Sequence, residues 1–210
     1  MQGGKMTIKN KRILLGITGG IAAYKCAFLL RLLKKQGADV RCVMTESAKA
    51  FITPLTCQAL SGHPVRSELF DCAAEHGMGH IELAKWADLI VIAPASANCL
   101  AKLAHGLADD LLTTLYLATK APVFIAPAMN QAMWSHPATQ ANISLLTERH
   151  VRWVPPVEGE QACGDEGVGC MASPEAIISA IQMSCDLKPE EPISPRHNHS
   201  GVLHGVSVLG

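Results

Sequence analysis

Short apolar segments alternate with longer amphipathic segments along most of the chain. Five apolar segments have the length of β-strands, at residues 12–17, 39–44, 89–94, 123–127 and 151–156. Between the first two, AAYKCAFLLRLLKKQG carries leucines along one side and ends in two lysines before a glycine, which predicts a crossover helix. Near-continuous apolar strands separated by helices are typical of a parallel sheet that helices cover on both faces. The pattern therefore predicts an α/β fold.

The chain of 210 residues is long enough for one α/β domain and marginal for two. We assign residues 12–183 to a single domain. From residue 184 the composition shifts to proline and polar residues, which is typical of a linker. The last segment, VLHGVSVLG, has the pattern of a new strand. Residues 184–210 are therefore expected to hold a linker and the start of a truncated second domain.

Charge and cysteine content narrow the possible partners. Eighteen basic residues balance eighteen acidic ones, so no field of one sign favours nucleic acid or an anionic membrane as a partner. The eight cysteines lack the paired spacing of a zinc site, and we expect no metal. Glycines interrupt the one segment that imitates a signal peptide, and no apolar run approaches the roughly 20 residues of a spanning helix. We expect a soluble, cytoplasmic protein with reduced thiols.

In an open parallel sheet, ligands collect beyond the carboxyl ends of the strands. Gly19 and Gly20 follow the first strand, where backbone N–H groups can approach a phosphate at the start of the next helix. The segment matches neither GxGxxG nor the P-loop pattern, so a plain turn remains an alternative. Thr45 and Ser47 follow the second strand with hydroxyls that suit a phosphate. Thr45 alone is better explained as a helix N-cap.

Two further segments follow the third and fourth strands. Ser96 and Asn98 in APASANCLAK can bind a ligand or cap the next helix, and capping is the better explanation of that segment alone. In PAMNQAMW, the Asn130 amide can hold a carboxylate without the ion pair that would over-stabilise the ground state. That property suits a carboxylate that must leave as neutral carbon dioxide. Met133 and Trp134 are expected in the core.

A histidine and a cysteine complete the set of candidates. His80 precedes a helical turn. A lone histidine is more often structural than catalytic, so His80 is a candidate base only because the other candidate residues accompany it. Residues 159–171 hold four glycines and Cys163 in a long segment without periodicity, which predicts a functional loop or lid. The polar surroundings of Cys163 contrast with Cys26 and Cys99, which we expect to be buried and inert.

Five segments, in this order and spacing, resemble the flavin-containing cysteine decarboxylases. They are GITGGIAAYK, HIELAKWAD, APASANCLAK, PAMNQAMW and ACGDEGVGCM. The resemblance covers roughly residues 12–183 and is strongest to the N-terminal half of the bacterial bifunctional phosphopantothenoylcysteine decarboxylase/ligases of coenzyme A synthesis. It implies a flavodoxin-like or Rossmann-like sheet, bound FMN, and a homo-oligomer, a trimer or a dodecamer of trimers, with sites between protomers.

The resemblance also implies a role for each candidate residue. Around the FMN phosphate and along the rest of the flavin it places Gly19, Gly20, Thr45, Ser47, Ser96, Ala97, Asn98 and Ala128. As catalytic residues it implies the base His80, the carboxylate-binding Asn130, and the proton donor Cys163 on a lid that Asp165 shapes. Cys170 stands where bacterial members usually carry arginine, which puts the ordering of that lid in doubt.

The implied chemistry explains the need for a flavin. Loss of carbon dioxide from an acylated cysteine leaves a carbanion, and the acylated nitrogen cannot form the Schiff base that pyridoxal phosphate requires. Oxidation of the thiol-bearing carbon to a thioaldehyde lets that carbanion delocalise onto sulfur. The expected reaction converts phosphopantothenoylcysteine to phosphopantetheine by oxidation, loss of carbon dioxide and re-reduction.

Two other functions remain open at this point. A peptidyl-cysteine decarboxylase of lantibiotic maturation performs the same chemistry on a peptide, although the ACGDEGVGCM segment favours the phosphopantothenoyl substrate. Some eukaryotic relatives are non-enzymatic regulatory subunits of a protein phosphatase. Those relatives carry long acidic extensions, which this sequence lacks.

Overall fold

The computed structural model describes residues 7–69, 79–160, 164 and 166–184. Its main sheet consists of β1 (Arg12–Ile17), β2 (Asp39–Met44), β3 (Leu89–Ala95), β4 (Val123–Pro127) and β5 (Arg152–Trp153). The strands lie in the order β2-β1-β3-β4-β5, and every neighbouring pair is parallel. The predicted α/β class is confirmed. The fifth strand is shorter than predicted because two prolines, which lack an N–H for the ladder, follow it closely.

Helices connect the strands within the described ranges. They are α1 (Lys25–Lys35), α2 (Pro54–Ser61), α3 (His80–Trp86), α4 (Ala97–His105), α5 (Leu111–Ala118), α6 (Gln131–Ser135), α7 (Pro137–Glu148) and α8 (Pro174–Ser184). Short 3-10 helices at Ile21–Tyr24 and Glu46–Ala50 follow β1 and β2. The predicted crossover helix is α1, and it joins two parallel neighbours. No helix in these ranges has both the length and the apolar character needed to cross a bilayer.

The sheet separates two layers of core, as the apolar strands predict. Ile13 and Leu15 of β1 pack in the cluster that includes the buried side of α1 and α8, whereas Leu14 packs with α4, α5 and α7. Gly16 also faces this second layer, where a Cβ atom would lie 2.5 Å from a methyl carbon of Leu112. Both faces of the sheet are therefore covered, and α5 approaches β1 closely at a glycine.

One prediction about the C-terminal part of the domain was wrong. Residues predicted as an irregular loop instead form two antiparallel strands, β6 (Val157–Glu160) and β7 (Glu166–Cys170). This hairpin buries few side chains and alternates glycine with charged residues, so it lacks the apolar pattern by which a strand is recognised. Cys163 and Asp165, which come between the two strands in the sequence, lie outside the described residues. The predicted linker and second-domain strand at 185–210 do so as well.

Candidate functional site

The strand order creates a crevice between β1 and β3, because the connections from these two central strands leave in opposite directions. A cavity of about 280 Å³ opens at this point, beyond the carboxyl ends of the strands. It is lined by Thr18, Thr45, Glu46, Ser47, Ser96, Asn98, Cys99, Lys102 and Asp110. Four residues that the sequence nominated, Thr45, Ser47, Ser96 and Asn98, therefore meet in one cavity, although they follow two different strands.

Thr18 connects the two central strands at the base of this cavity. Its side chain is 1% exposed. The hydroxyl donates to the carbonyl of Pro94 at 2.8 Å and accepts from the backbone N–H of Ser96 at 2.9 Å. One buried hydroxyl thus joins the glycine turn after β1 to the turn after β3. Sequence reasoning missed Thr18, because its partners are more than seventy residues away along the chain.

The two glycines after β1 have different surroundings. A Cβ atom on Gly19 would lie 2.6 Å from both the Cβ and the Oγ of Ser47, so the turn can lie this close to the next loop only with glycine. Gly20 has extended backbone with φ 164°, and a Cβ there would meet no protein atom within 4 Å. Gly19 is thus required by packing within the protein, whereas Gly20 leaves room beside the start of the 3-10 helix.

Thr45 and Ser47 present hydroxyls to the cavity. Thr45 occupies the N-cap position of its 3-10 helix, but its side chain makes no cap hydrogen bond. The two hydroxyl oxygens lie 3.2 Å apart instead. The prediction that Thr45 is a helix N-cap is therefore confirmed for its position, although the hydroxyl does not make the cap hydrogen bond. Both groups can donate or accept, which suits the oxygens of a phosphate.

Helix α4 directs its N-terminus at the same cavity. Ser96 is its N-cap, and its Oγ accepts from the N–H of Cys99 at 3.2 Å, which confirms the capping prediction for this residue. Ala97 is the first helical residue, and the exposed Asn98 lines the cavity. The N-terminus of a helix carries partial positive charge and uncommitted N–H groups, which favour an anion.

A charged cluster forms another part of the cavity wall. The Lys102 ammonium lies 2.8 Å from the Asp109 carboxylate and 3.3 Å from that of Asp110. Its hydrogen bond to Asp109 raises the pKa of Lys102 and, reciprocally, lowers the pKa of Asp109. Asp110 is also held by a capping box with Thr113 at the start of α5. Lys102 therefore stays cationic at neutral pH, in a place that the sequence did not single out.

Asn130 lies in a second group of residues, after β4. It is the N-cap of α6, and its Oδ1 accepts from the N–H of Ala132 at 2.8 Å. This bond fixes the orientation of the amide, so that Nδ2 is the side that donates. The N–H of Ala128 donates to Ala95 at the end of β3, and that of Met129 donates to Gly169 of β7, both at 3.0 Å. The turn therefore lies between β3 and the hairpin.

Two expectations about this segment were wrong. Met133 is 48% exposed, Trp134 is half-buried, and α6 has no buried residue, so neither side chain belongs to the core. The apolar composition of PAMNQAMW reflects a short surface helix beside the hairpin and not a continuation of the buried strand.

Comparison of the sequence with known proteins identifies the family of this chain. Residues 4–186 match the protein family described as Flavoprotein. The chain belongs to the flavoprotein family. It is 57% identical over 183 residues to the coenzyme A biosynthesis bifunctional protein CoaBC of Vibrio vulnificus, an alignment that covers 87% of this chain and 46% of that protein. The chain thus spans about half the length of the curated relatives it matches.

Solved structures show the same likeness. A mutant PPC decarboxylase in complex with pantothenoylaminoethenethiol is 36% identical, with a TM-score of 0.74 over 85% of this chain and 100% of that chain. The FMN binding protein AtHal3 is also 36% identical, with a TM-score of 0.75 over 87% of this chain and 100% of that chain. The flavodoxin-like sheet that the sequence implied is confirmed by these neighbours.

The described part of this flavoprotein does not bring all the nominated residues together. His80 is half-buried at the start of α3, after the N-cap Gly79. Neither His80 nor Asn130 is among the residues that line the cavity. Within the described residues, Thr45, Ser47, Ser96 and Asn98 meet in one cavity, whereas the nominated base and the carboxylate-binding amide are not part of its lining.

The buried cysteines behave as the sequence predicted. Cys26 and Cys99 are 0% and 4% exposed, and the Cys26 thiol donates to the carbonyl of Ala93 at 2.9 Å. Burial raises the pKa of Cys99 to about 12 and raises that of Cys26 further. Both thiols therefore remain protonated and unreactive at neutral pH.

Proposed function

We propose that this chain catalyses the FMN-dependent decarboxylation of phosphopantothenoylcysteine to phosphopantetheine, a step of coenzyme A biosynthesis. The observation that carries the proposal is the cavity of hydroxyl groups at the β1/β3 crevice, in a chain that matches a CoaBC protein at 57% identity. We propose a cytoplasmic location as well, because the described cysteines are free thiols, as is usual in a reducing compartment.

The residues around the cavity suit the phosphate end of FMN. Hydroxyls of Thr45 and Ser47 and the N-terminus of α4 favour an anion, whereas the Lys102 ammonium is already paired with Asp109 and Asp110. The room beside Gly20 would let a ligand approach the backbone closely. Ala97, Asn98 and Ala128 would line the rest of the flavin. When bound, FMN would supply a two-electron acceptor and later return those electrons.

His80 and Asn130 would then act on the substrate. His80 would assist removal of a proton during oxidation of the thiol-bearing carbon. The Asn130 Nδ2 would donate to the carboxylate, in an orientation that the cap bond to Ala132 holds fixed. Because the amide is uncharged, it can orient the carboxylate without stabilising it as strongly as a full ion pair would. Cys163 would supply the proton that completes the product.

We further propose that the chain works as a homo-oligomer, a trimer or a dodecamer of trimers. Ile21, Tyr24 and Phe28, spaced as one helical stripe after the glycine turn, are 61%, 53% and 58% exposed. Exposed apolar side chains in such a stripe are suited to a protein interface. Replacing Phe28 with glutamate is expected to lower the mass measured by light scattering.

The proposal is tested with purified protein, its visible spectrum and the release of carbon dioxide. The wild-type protein is expected to be yellow and to decarboxylate phosphopantothenoylcysteine. His80→Asn should keep the flavin spectrum and lose turnover, because an acid–base role contributes about 10²–10⁴-fold in rate. Cys163→Ser should permit the oxidative half and stall with loss of the visible flavin absorbance.

Several outcomes would contradict the proposal. A colourless protein that FMN cannot reconstitute would exclude the cofactor, and a Cys163→Ser variant as active as wild type would exclude the proton-donor role. Carbon dioxide released only from a peptide ending in cysteine would indicate a peptidyl-cysteine decarboxylase. Inhibition of a protein phosphatase without any release of carbon dioxide would indicate a regulatory subunit.

A further inference from the structure

Lys25 occupies an unusual position for a basic residue. It is the first residue of α1, directly after the 3-10 helix that follows Gly20. A helix N-terminus carries partial positive charge, so a cation there is electrostatically unfavourable. The first turn of α1 contains no acidic residue that would offset this effect. The position of the ammonium is therefore not explained by its own helix.

The contact that Lys25 makes lies in another part of the domain. Its Nζ donates to the backbone carbonyl of Met171 at 3.0 Å, in a half-buried setting. Met171 directly follows β7 and is 1% exposed. One side chain at the start of α1 thus holds the point where the hairpin joins the rest of the domain.

Among the described residues, few other hydrogen bonds attach the hairpin to the domain. Its strands β6 and β7 are largely exposed, with only Gly169 buried among their residues. An isolated two-stranded hairpin is marginally stable, so polar anchors decide where it lies. The N–H of Met129, one residue before Asn130, donates to the carbonyl of Gly169 at 3.0 Å. Gly167 lies against the side chain of Gln131, leaving no room for a Cβ atom.

We propose that Lys25 is a positioning residue that sets substrate affinity by fixing the hairpin against the Asn130 turn. The hairpin is anchored on one side by Lys25, through Met171, and on the other by Met129, through Gly169. Loss of the first anchor would leave the hairpin held by the second, whose N–H belongs to the turn that presents Asn130. The inference rests on the proposed function, since it assumes that Asn130 binds the substrate carboxylate.

The test compares three variants of the flavin-loaded enzyme. Lys25→Met removes the donor and keeps most of the aliphatic side chain, whereas Lys25→Arg keeps a cationic donor. As a control, Lys35→Met removes an exposed lysine at the other end of α1. Lys25→Met should raise KM about ten-fold with a smaller change in kcat, since about ten-fold corresponds to one modest hydrogen bond. Its affinity for FMN should stay within about two-fold of wild type. Lys25→Arg should recover most of the loss, and Lys35→Met should match wild type.

Amide hydrogen exchange supplies a measurement that needs no substrate. In Lys25→Met, the N–H of Met129 and the ladder amides of β7 should exchange about ten-fold faster than in wild type. Unchanged exchange together with unchanged KM would overturn the inference. So would a Lys25→Arg variant that is as impaired as Lys25→Met. If the wild-type protein proves unable to decarboxylate phosphopantothenoylcysteine, the exchange result still decides whether Lys25 anchors the hairpin.

Discussion

Replacing Thr18 with valine would test whether one buried hydroxyl holds the candidate site together. Valine has nearly the same shape as threonine, so the substitution removes the hydroxyl and leaves the packing. The N–H of Ser96 then loses its acceptor, whereas the carbonyl of Pro94 keeps a second donor, the N–H of Thr18, at 3.3 Å. A buried donor left unsatisfied costs about 1–3 kcal/mol. Because Ser96 is half-buried and water can approach it, we expect about 1–2 kcal/mol.

Urea unfolding, followed by tryptophan fluorescence, measures this effect directly. A loss of about 1–2 kcal/mol lowers the ratio of folded to unfolded protein roughly 5- to 30-fold. With a slope of about 2–3 kcal/mol per molar urea, the midpoint should fall by about 0.5 M. FMN affinity, measured by quenching of flavin fluorescence, should fall as well, because the turns carrying Gly19 and Ser96 are no longer held to each other.

The matched control is Thr18→Ser, which keeps the hydroxyl and loses one methyl group. It should retain the FMN affinity of the wild type and lose stability only through the smaller side chain. The reasoning is refuted if the valine variant unfolds at the wild-type urea concentration and binds FMN equally well. It is also refuted if the serine variant loses as much FMN affinity as the valine variant.

Three further expectations follow from the structure. Gly19→Ala should destabilise the protein even without flavin, because its Cβ atom would collide with Ser47 in the neighbouring loop. Gly20→Ala should fold normally and lose FMN affinity about ten-fold or more. Equal melting temperatures and equal flavin retention for the two variants would contradict this expectation. Cys99, whose pKa burial raises to about 12, should resist iodoacetamide at pH 8 until the protein unfolds, as peptide mapping would show. The hydrogen bond from Arg12 lowers the pKa of Asp88, so the wild type should be more stable than Asp88→Asn at neutral pH. This stability difference should vanish as the pH falls below about 4, through the lowered pKa. A difference that persists to pH 2 would exclude the ion pair as its cause.

The sequence predicted the features that depend on apolar periodicity. Strands β1 to β4 lie within one residue of the predicted ranges, because each is buried on both faces and contains a near-continuous apolar run. The hairpin was not predicted because it buries few side chains. Met133 was wrongly assigned to the core because a run of apolar residues does not show where the chain leaves the sheet.

Site residues could be predicted only where the local sequence was unusual. Gly19 and Ser96 stand in segments of uncommon composition that follow strands. Thr18 contributes through partners on β3 that lie more than seventy residues away, and a single sequence contains no local signal for such contacts. Lys102 is paired with Asp109 and Asp110 shortly after its own helix, but its place in the cavity wall depends on the fold. The role of Thr18 in particular depends on β3 lying beside β1, which follows from the strand order and not from any motif.

The carbonyl anchors of the hairpin have a consequence for which of its residues can vary. Gly169 and Met171 are both held through main-chain oxygen atoms, which every amino acid possesses. Exposed side chains of β7, such as Val168, can therefore be exchanged while the strand keeps its place, whereas Gly167 leaves no room for a Cβ atom. The exposed positions of this hairpin can thus vary while the backbone contacts that hold it beside the Asn130 turn stay the same.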